Sequence, residues 1–382
     1  MLFTLKRNEK YVTGMLKIER TYILLLFLAL LMLLSFFISS NTAAAPSLSY
    51  LDPTPDDGHY QTERNVTINV SITEENLEEL NYNWNGTNYT IYDDSLILMY
   101  NFDNIADLGE TDTQIIDISG NGNTGTAQLG ASPTTNGKYD GAFDFDGYGD
   151  AVTTNIDLNS YSSFTIMGWV YPRATGEDVS RTGFFGQNDA FETLWDGSTL
   201  NYWTETGDCN IEVAANEWVH ITLQYQSSTI SIYKNGALAN SVSGEGGSSS
   251  YTFNIGGGGI ADPDEGNGLD GIIDEIRIWN TVLTEKEVYQ QYISNLQKYN
   301  STQWYLSVNQ SKNATTDLDD GIYTYQAFAT DTSNNQAQTE KRTIGINMDP
   351  SPPVPETSTI ILIALGTILL IGVIRFKGRK KT

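Results

Sequence analysis

The sequence is poorest in cysteine, histidine and basic charge. One cysteine, Cys209, stands in 382 residues, so no internal disulfide framework holds the chain, and a lone thiol reads as a small packing residue. The two histidines, His59 and His220, occupy no triad or metal-binding spacing, and His220 within 218–225 reads as a strand residue. Against 47 Asp and Glu there are 21 Lys and Arg, a formal charge of −26. The basic residues gather at the ends: residues 1–45 carry +3 and residues 352–382 carry +4, leaving −33 between them. Such a middle repels nucleic acid and anionic lipid and favours divalent cations. Helical signal is scarce too. Outside the apolar ends it is confined to 284–293, where Thr284 and Glu287 have capping-box spacing.

The ends read as membrane segments. Lys6, Arg7, Lys10, Lys17 and Arg20 precede an apolar run at 22–38, and Ala43, Ala44 and Ala45 follow it. That order makes 1–45 a secretory signal cleaved after Ala45 or, given the length of the run, an uncleaved signal anchor. Residues 358–376 are nearly all apolar; about 19 residues rising about 1.5 Å each span roughly 28 Å, enough for a bilayer core. The basic tail 377–382 should stay cytoplasmic, which puts the ectodomain outside, at the cell surface. A stiff proline-rich linker, 349–357, joins the two. Pro355-Glu356, an apolar helix and a basic tail together resemble the C-terminal sorting signals of prokaryotic exosortase and archaeosortase substrates. Thr357 departs from the Pro or Phe of those signals, and a plain single-pass anchor is the alternative reading.

Between the ends the chain reads as all-β, with alternating β-branched and aromatic residues between Gly, Asn, Asp and Ser clusters. Residues 218–225 and 251–255 are strand candidates, and Asn235-Gly236 after 229–234 signals a hairpin. Asn-x-Ser/Thr acceptors occur at Asn65, Asn69, Asn85, Asn88, Asn300, Asn309 and Asn313, with none between residues 89 and 299. The flanks thus share a character that the middle lacks. Neither flank offers a persuasive core alone, whereas five or six short strands together suit an immunoglobulin-like sandwich. The expected arrangement is a discontinuous immunoglobulin-like domain of 46–95 plus 298–348, with 96–297 inserted. Two separate flanking units are the alternative.

The middle carries a resemblance. Ser95-Leu-Ile-Leu-Met-Tyr-Asn-Phe-Asp103, the loop 117–125, and the segments 137–147, 164–170, 216–220, 232–236 and 269–279 stand in the order found in LamG-like jelly-roll domains. The match covers about 200 residues. It implies the concanavalin A-like architecture of two packed antiparallel sheets, a fold that hosts many functions. It also implies a structural calcium ion held by Asp103 and Asp274, with loop carbonyls or side chains from Asn121 or Asn123, a set of oxygen donors that suits calcium. Asp117, Ser119 and Asn121 begin like an EF-hand loop, but Gln128 stands at the twelfth position, which argues against one. The acidic loop 256–268 offers Asp262, Asp264 and Glu265 as chelators or as a solvated loop.

Read as a regular strand, 269–279 places Asp274 on one face with Ile272, Ile276 and Ile278. Glu275, Arg277, Ile273 and Trp279 take the other. A carboxylate in an isoleucine row asks for a partner or a proton. The laminarinase-type hydrolases of this architecture place acids as Glu-x-Asp-x-(x)-Glu on one strand face. No such run occurs here, and Asp274 and Glu275 would point apart, so no catalytic residue is expected. Binding remains: Trp195, Tyr202 and Trp203 lie in a polar segment where exposed rings could stack on sugars. The expected partner is a glycan or an envelope protein. The expected work is adhesion, with a hydrolase as the rival reading.

Overall fold

A computed structural model describes Tyr22 and residues 44–173, 183–257 and 268–348. The apolar run of the signal after Tyr22, the proline-rich linker, the expected membrane segment 358–376 and the basic tail lie outside the described residues, as do Asp262, Asp264 and Glu265. Among the described residues no helix is long and apolar enough to cross a membrane. What is described is an all-β structure with one short α-helix, Glu285–Tyr292, capped by Thr284 and Glu287 in the expected box.

Alternation of apolar and polar residues builds a first sandwich from the middle of the chain. Its large sheet runs Ala237–Ser243, Thr229–Lys234, Val219–Gln226, Ser163–Pro172, Asp270–Trp279, Ala142–Asp146 and Ser132–Thr134, and Leu96–Tyr100 also pairs with Asp270–Trp279. The opposing layer is a five-stranded sheet ordered Phe185–Gly186, Asn254–Ile255, Ala151–Thr153, Gly125–Gln128 and Gln114–Ile115. Beside it lies a three-stranded sheet of Phe191–Asp196, Thr199–Thr204 and Asp208–Glu212. Only Asn254 and Ile255 of the expected strand 251–255 pair. One apolar core fills the space between the layers, with Phe164, Ile166, Ile221, Ile276 and Ile278 from the large sheet.

The two flanks pair with each other. Val66–Thr73 runs antiparallel to Gln303–Gln310, and Leu77–Trp84 runs antiparallel to Gly321–Asp331. Two further sheets result, four-stranded and six-stranded. Ser294–Lys298 pairs with Gln303–Gln310, so by pairing the flank begins at Ser294 and not at residue 298. A second apolar core joins Ile68, Ile72, Trp304 and Tyr325 of the flanks to Met99, Met167 and Trp279 on the outer face of the large sheet. The two sandwiches therefore share buried surface.

The closing strand Asp270–Trp279 corrects the expected facing. Its register against Ser163–Pro172 shifts between Met167 and Trp169, and Glu275 has φ of 55°: the strand carries a β-bulge. The extra residue changes the phase, so Ile273, Ile276 and Ile278 all enter the first core. A left-handed backbone at Glu275 costs about 1–3 kcal/mol. A strand without the bulge would turn Ile276 and Ile278 away from that core, losing about 1.5–3 kcal/mol each. The bulge is the cheaper solution.

It also puts Glu275 and Arg277 at the junction of the two sandwiches, buried and paired at 3.0 Å. The Arg277 guanidinium donates further to Gln291 Oε1 of the helix at 3.2 Å and to Asn295 Oδ1 of the flank at 2.9 Å. Asn101 Nδ2 donates to Glu275 Oε1 at 3.1 Å and to the Leu296 carbonyl at 2.9 Å. Breaking a buried pair strands the surviving charge at a cost of about 3–5 kcal/mol. Arg277→Ala should therefore lower the thermal midpoint markedly. The double replacement Glu275→Gln with Arg277→Met should recover much of the loss; equal losses in both variants would show that the pair's charge is not what matters.

Candidate functional site

The bulge brings Asp103 and Asp274 into one electrostatic neighbourhood with Glu275, as the strand beginning at Leu96 runs past the closing strand. Asp274 is wholly buried; its Oδ2 accepts from the Tyr139 amide at 2.9 Å, while Oδ1 has no partner. Asp103 Oδ1 accepts from the Gly141 amide at 2.8 Å, and Gln297 Nε2 reaches Oδ2 at 3.5 Å. Burial, opposed by the Gly141 amide and aided by Asp140, pushes the Asp103 carboxyl up to about 7. Burial and then Glu275 hold Asp274 well above the carboxylate range. Asp274 and Glu275 do not point apart, and both are buried.

The two amides expected beside them are elsewhere. Asn121 Nδ2 donates to the Leu96 carbonyl at 2.9 Å and Asn123 Nδ2 to the Ile97 carbonyl at 2.7 Å. Both contacts lie at the start of strand Leu96–Tyr100, whereas Asp103 follows its end. Asp117 organises that loop, accepting from the amides of Met99, Ser119 and Asn123 at 3.0, 3.0 and 2.9 Å. Its oxygens are taken up by the backbone. Of the four expected ligands, Asp103 and Asp274 share one electrostatic neighbourhood, while the Asn121 and Asn123 amide nitrogens are bonded to the backbone. Among the described residues no group of three or more His, Cys, Asp or Glu is placed to hold a metal ion.

The aromatic candidates also divide. Trp195 is 4% exposed and Tyr202 0%, and both belong to the first core, so neither is a sugar platform. Their alternation explains why: Leu200, Tyr202 and Thr204 face inward, leaving Asn201 and Trp203 on the outer face of the three-stranded sheet. Trp203 is half-buried, with Glu192 directly across one neighbouring strand and Asp208 across the other. Asn201 lies between Leu194 and Asn210 in the same way. At a strand spacing of about 4.8 Å, the ring, the exposed Asp208 carboxylate and two amides share a patch about 10 Å wide, with the Glu192 side chain buried beside them. The Glu192 carboxylate accepts from the Asp189 amide at 2.5 Å, and burial raises the Asp208 carboxyl.

The glycosylation candidates differ in access. Asn69 is buried within its strand, and its Nδ2 donates to the Asp52 carbonyl at 3.0 Å, which removes it as an acceptor in the folded chain. Asn65, Asn85, Asn88, Asn309 and Asn313 are exposed, and Asn300 is half-buried.

Residues 145–289 match the family model described as the Concanavalin A-like lectin/glucanases superfamily. The chain carries a concanavalin A-like domain. Similar solved structures include domain 4 of AbnA, a GH43 extracellular arabinanase from Geobacillus stearothermophilus, in complex with arabinotriose. It is 21% identical with a TM-score of 0.41, covering 50% of this chain and 96% of that one. Trypanosoma rangeli sialidase in complex with the inhibitor DANA is 13% identical, TM-score 0.40, over 52% of this chain and 32% of that one. The binding domain of botulinum neurotoxin serotype D is 12% identical, TM-score 0.40, over 63% and 73%. These likenesses are too distant to carry an argument about ligand. No curated protein matches the chain in sequence.

The concanavalin A-like domain meets the helix through His220, packed between Trp169 and Tyr292 with ring centroids 5.2 and 5.6 Å away. Burial, and then the positive charges of Arg277 and Lys138, depress its pKa to about 3. An ordinary histidine in the unfolded chain titrates near 6.5. The stability that His220 contributes as a neutral ring is thus complete above pH 6.5 and is lost as pH falls towards 3. At pH 5 the loss is about 2 kcal/mol. His220→Phe should narrow the gap between melting midpoints at pH 7 and pH 5; an unchanged gap would mean the imidazole is not buried in its neutral form.

Proposed function

We propose that this chain is a non-catalytic saccharide-binding protein of the cell surface that presents glycan to the Trp203 face of its concanavalin A-like domain. The observation that carries the reading is the composition of that face. A half-buried indole ring, flanked by the exposed Asp208 carboxylate and by the Asn201 and Asn210 amides, offers an apolar plate for a pyranose ring. It also offers acceptors and donors for the surrounding hydroxyls. Antiparallel pairing of the two flanks supports reading them as one discontinuous immunoglobulin-like stalk. Export by residues 1–45, anchoring by 358–376 and N-glycans on the exposed acceptors complete the proposal on the strength of the sequence.

Trp203→Ala should weaken binding on a glycan array by about tenfold or more, whereas Trp203→Phe should keep part of it. Unaltered array binding in Trp203→Ala would remove the face from the proposal, leaving a protein-binding adhesin as the alternative. The hydrolase reading is tested on the same material. The purified chain should release no reducing ends from polysaccharide, and release that disappears in Asp208→Asn would establish an enzyme.

Calcium enters on the narrower donor pair. Asp103 and Asp274 would hold the ion, with the buried, unpartnered Asp274 Oδ1 as a donor to it. Calcium chloride at pH 8 should raise the thermal midpoint, reversibly with chelator, because an ion bound only by the folded state stabilises it by mass action. The absence of a shift, or the same shift in Asp274→Asn, would sink this assignment.

A further inference from the structure

Two grooves open along the junction of the sandwiches, and they differ in charge. One, of about 620 Å³, is lined by six carboxylates, Glu75, Glu78, Asp93, Asp94, Asp107 and Asp117, and by a single lysine, Lys298. The other, of about 980 Å³, is lined by two acidic and two basic residues, Glu285, Asp319, Lys286 and Lys312. Lys312 and Asp319 form an ion pair at 2.7 Å. On a chain of net charge −26, a large groove with no net charge selects against both cations and anions.

Its walls are aromatic and amide. The Trp84 and Tyr323 rings stack at 5.3 Å and 15°, and the half-buried rings of Tyr89 and Tyr289 line the groove with them. Tyr289 comes from the helix and shares a hydrogen bond with Ser311 of the flank. Gln310 lines the groove with a side chain 3% exposed. Its Nε2 donates to the Ser311 carbonyl at 2.8 Å, but its Oε1 has no partner. Half-buried tyrosine rings, polar side chains such as Asn85, Ser311 and Asn313, and no net charge suit a neutral, hydroxyl-rich ligand.

We propose that this groove is a second saccharide site, separate from the Trp203 face, which takes a short chain of uncharged sugar units. Two of the acceptor asparagines, Asn85 and Asn313, stand on its walls. The saccharide is therefore either a free chain or a glycan attached to this protein, and the chemistry of recognition is the same for both. Asn313 Oδ1 accepts from the amides of Thr315 and Thr316 at 3.0 and 3.1 Å, which leaves its Nδ2 for attachment.

The experiment is calorimetric titration of the full chain, without glycans, with cellotetraose, laminaritetraose, maltotetraose and chitotetraose. At least one should bind. Its affinity should fall tenfold or more in Tyr289→Ala and in Tyr323→Ala and be largely kept in Tyr289→Phe. Melting midpoints of all variants guard against loss of fold. The same titration on chain made in an N-glycosylating host separates the sources. Binding masked by the attached glycan, and restored by Asn85→Gln with Asn313→Gln, identifies the chain's own glycan as occupant; unmasked binding identifies a free saccharide. Binding that depends on Trp203 but on neither tyrosine overturns this site while leaving the Trp203 face standing. No tyrosine-dependent binding by any of the four probes overturns it as well.

Discussion

A guanidinium buried between two sandwiches sets the terms for everything around it. Arg277 cannot lose its proton and is expensive to hold away from water unless its donors are met. Its partners come from three places: Glu275 two residues back, Gln291 on the helix, and Asn295 with the Leu296 carbonyl on the first flanking strand. Gln291 in turn donates to the carbonyls of Thr90 and Ile91. A single cation thus ties the closing strand of the concanavalin A-like domain to the helix and to strands from both flanks. The arrangement is possible because the bulge at Glu275 turns the carboxylate to the same side as Arg277 without moving the isoleucines from the core.

That bulge marks the limit of what alternation in the sequence can show. The strands and the helix cap are local features, fixed by neighbours in the chain, and they were legible. A phase change depends on what both faces of a strand meet, which is not local. The signal was nonetheless present. Ile272 and Ile273 are adjacent, Asp274 and Glu275 are adjacent, and apolar residues recur at 273, 276 and 278; a spacing of three followed by two breaks a period of two. The polar residues Asn295 and Gln297, alternating with Leu296, gave a similar hint of a polar junction.

The aromatic candidates divide for a related reason. Trp195, Tyr202 and Trp203 lie close together in a polar stretch, and polarity suggested exposure for all three. In a strand, adjacent residues must part company: if Trp203 faces out, Tyr202 faces in. Register then assigns Trp195 to the inner face opposite Leu200. The loop amides failed through chemistry of another kind. Asn121 and Asn123 satisfy strand-end carbonyls, and Asp117 satisfies amides that would otherwise be unpaired. An Asx-rich loop that meets backbone demand looks, in sequence, much like one that meets a cation.

The sharing of surface between the sandwiches also bears on how binding can be organised. The Trp203 face lies on a three-stranded sheet whose inner side belongs to the first core, and the neutral groove lies where the second core comes to the surface. A substitution on one should therefore leave the other intact, since no side chain lines both. The junction itself cannot slide to open or close its groove without exposing Arg277 and Glu275 to a changed set of partners, at a cost of several kcal/mol. Rigidity of the seam beside the proposed groove follows from the same buried ion pair.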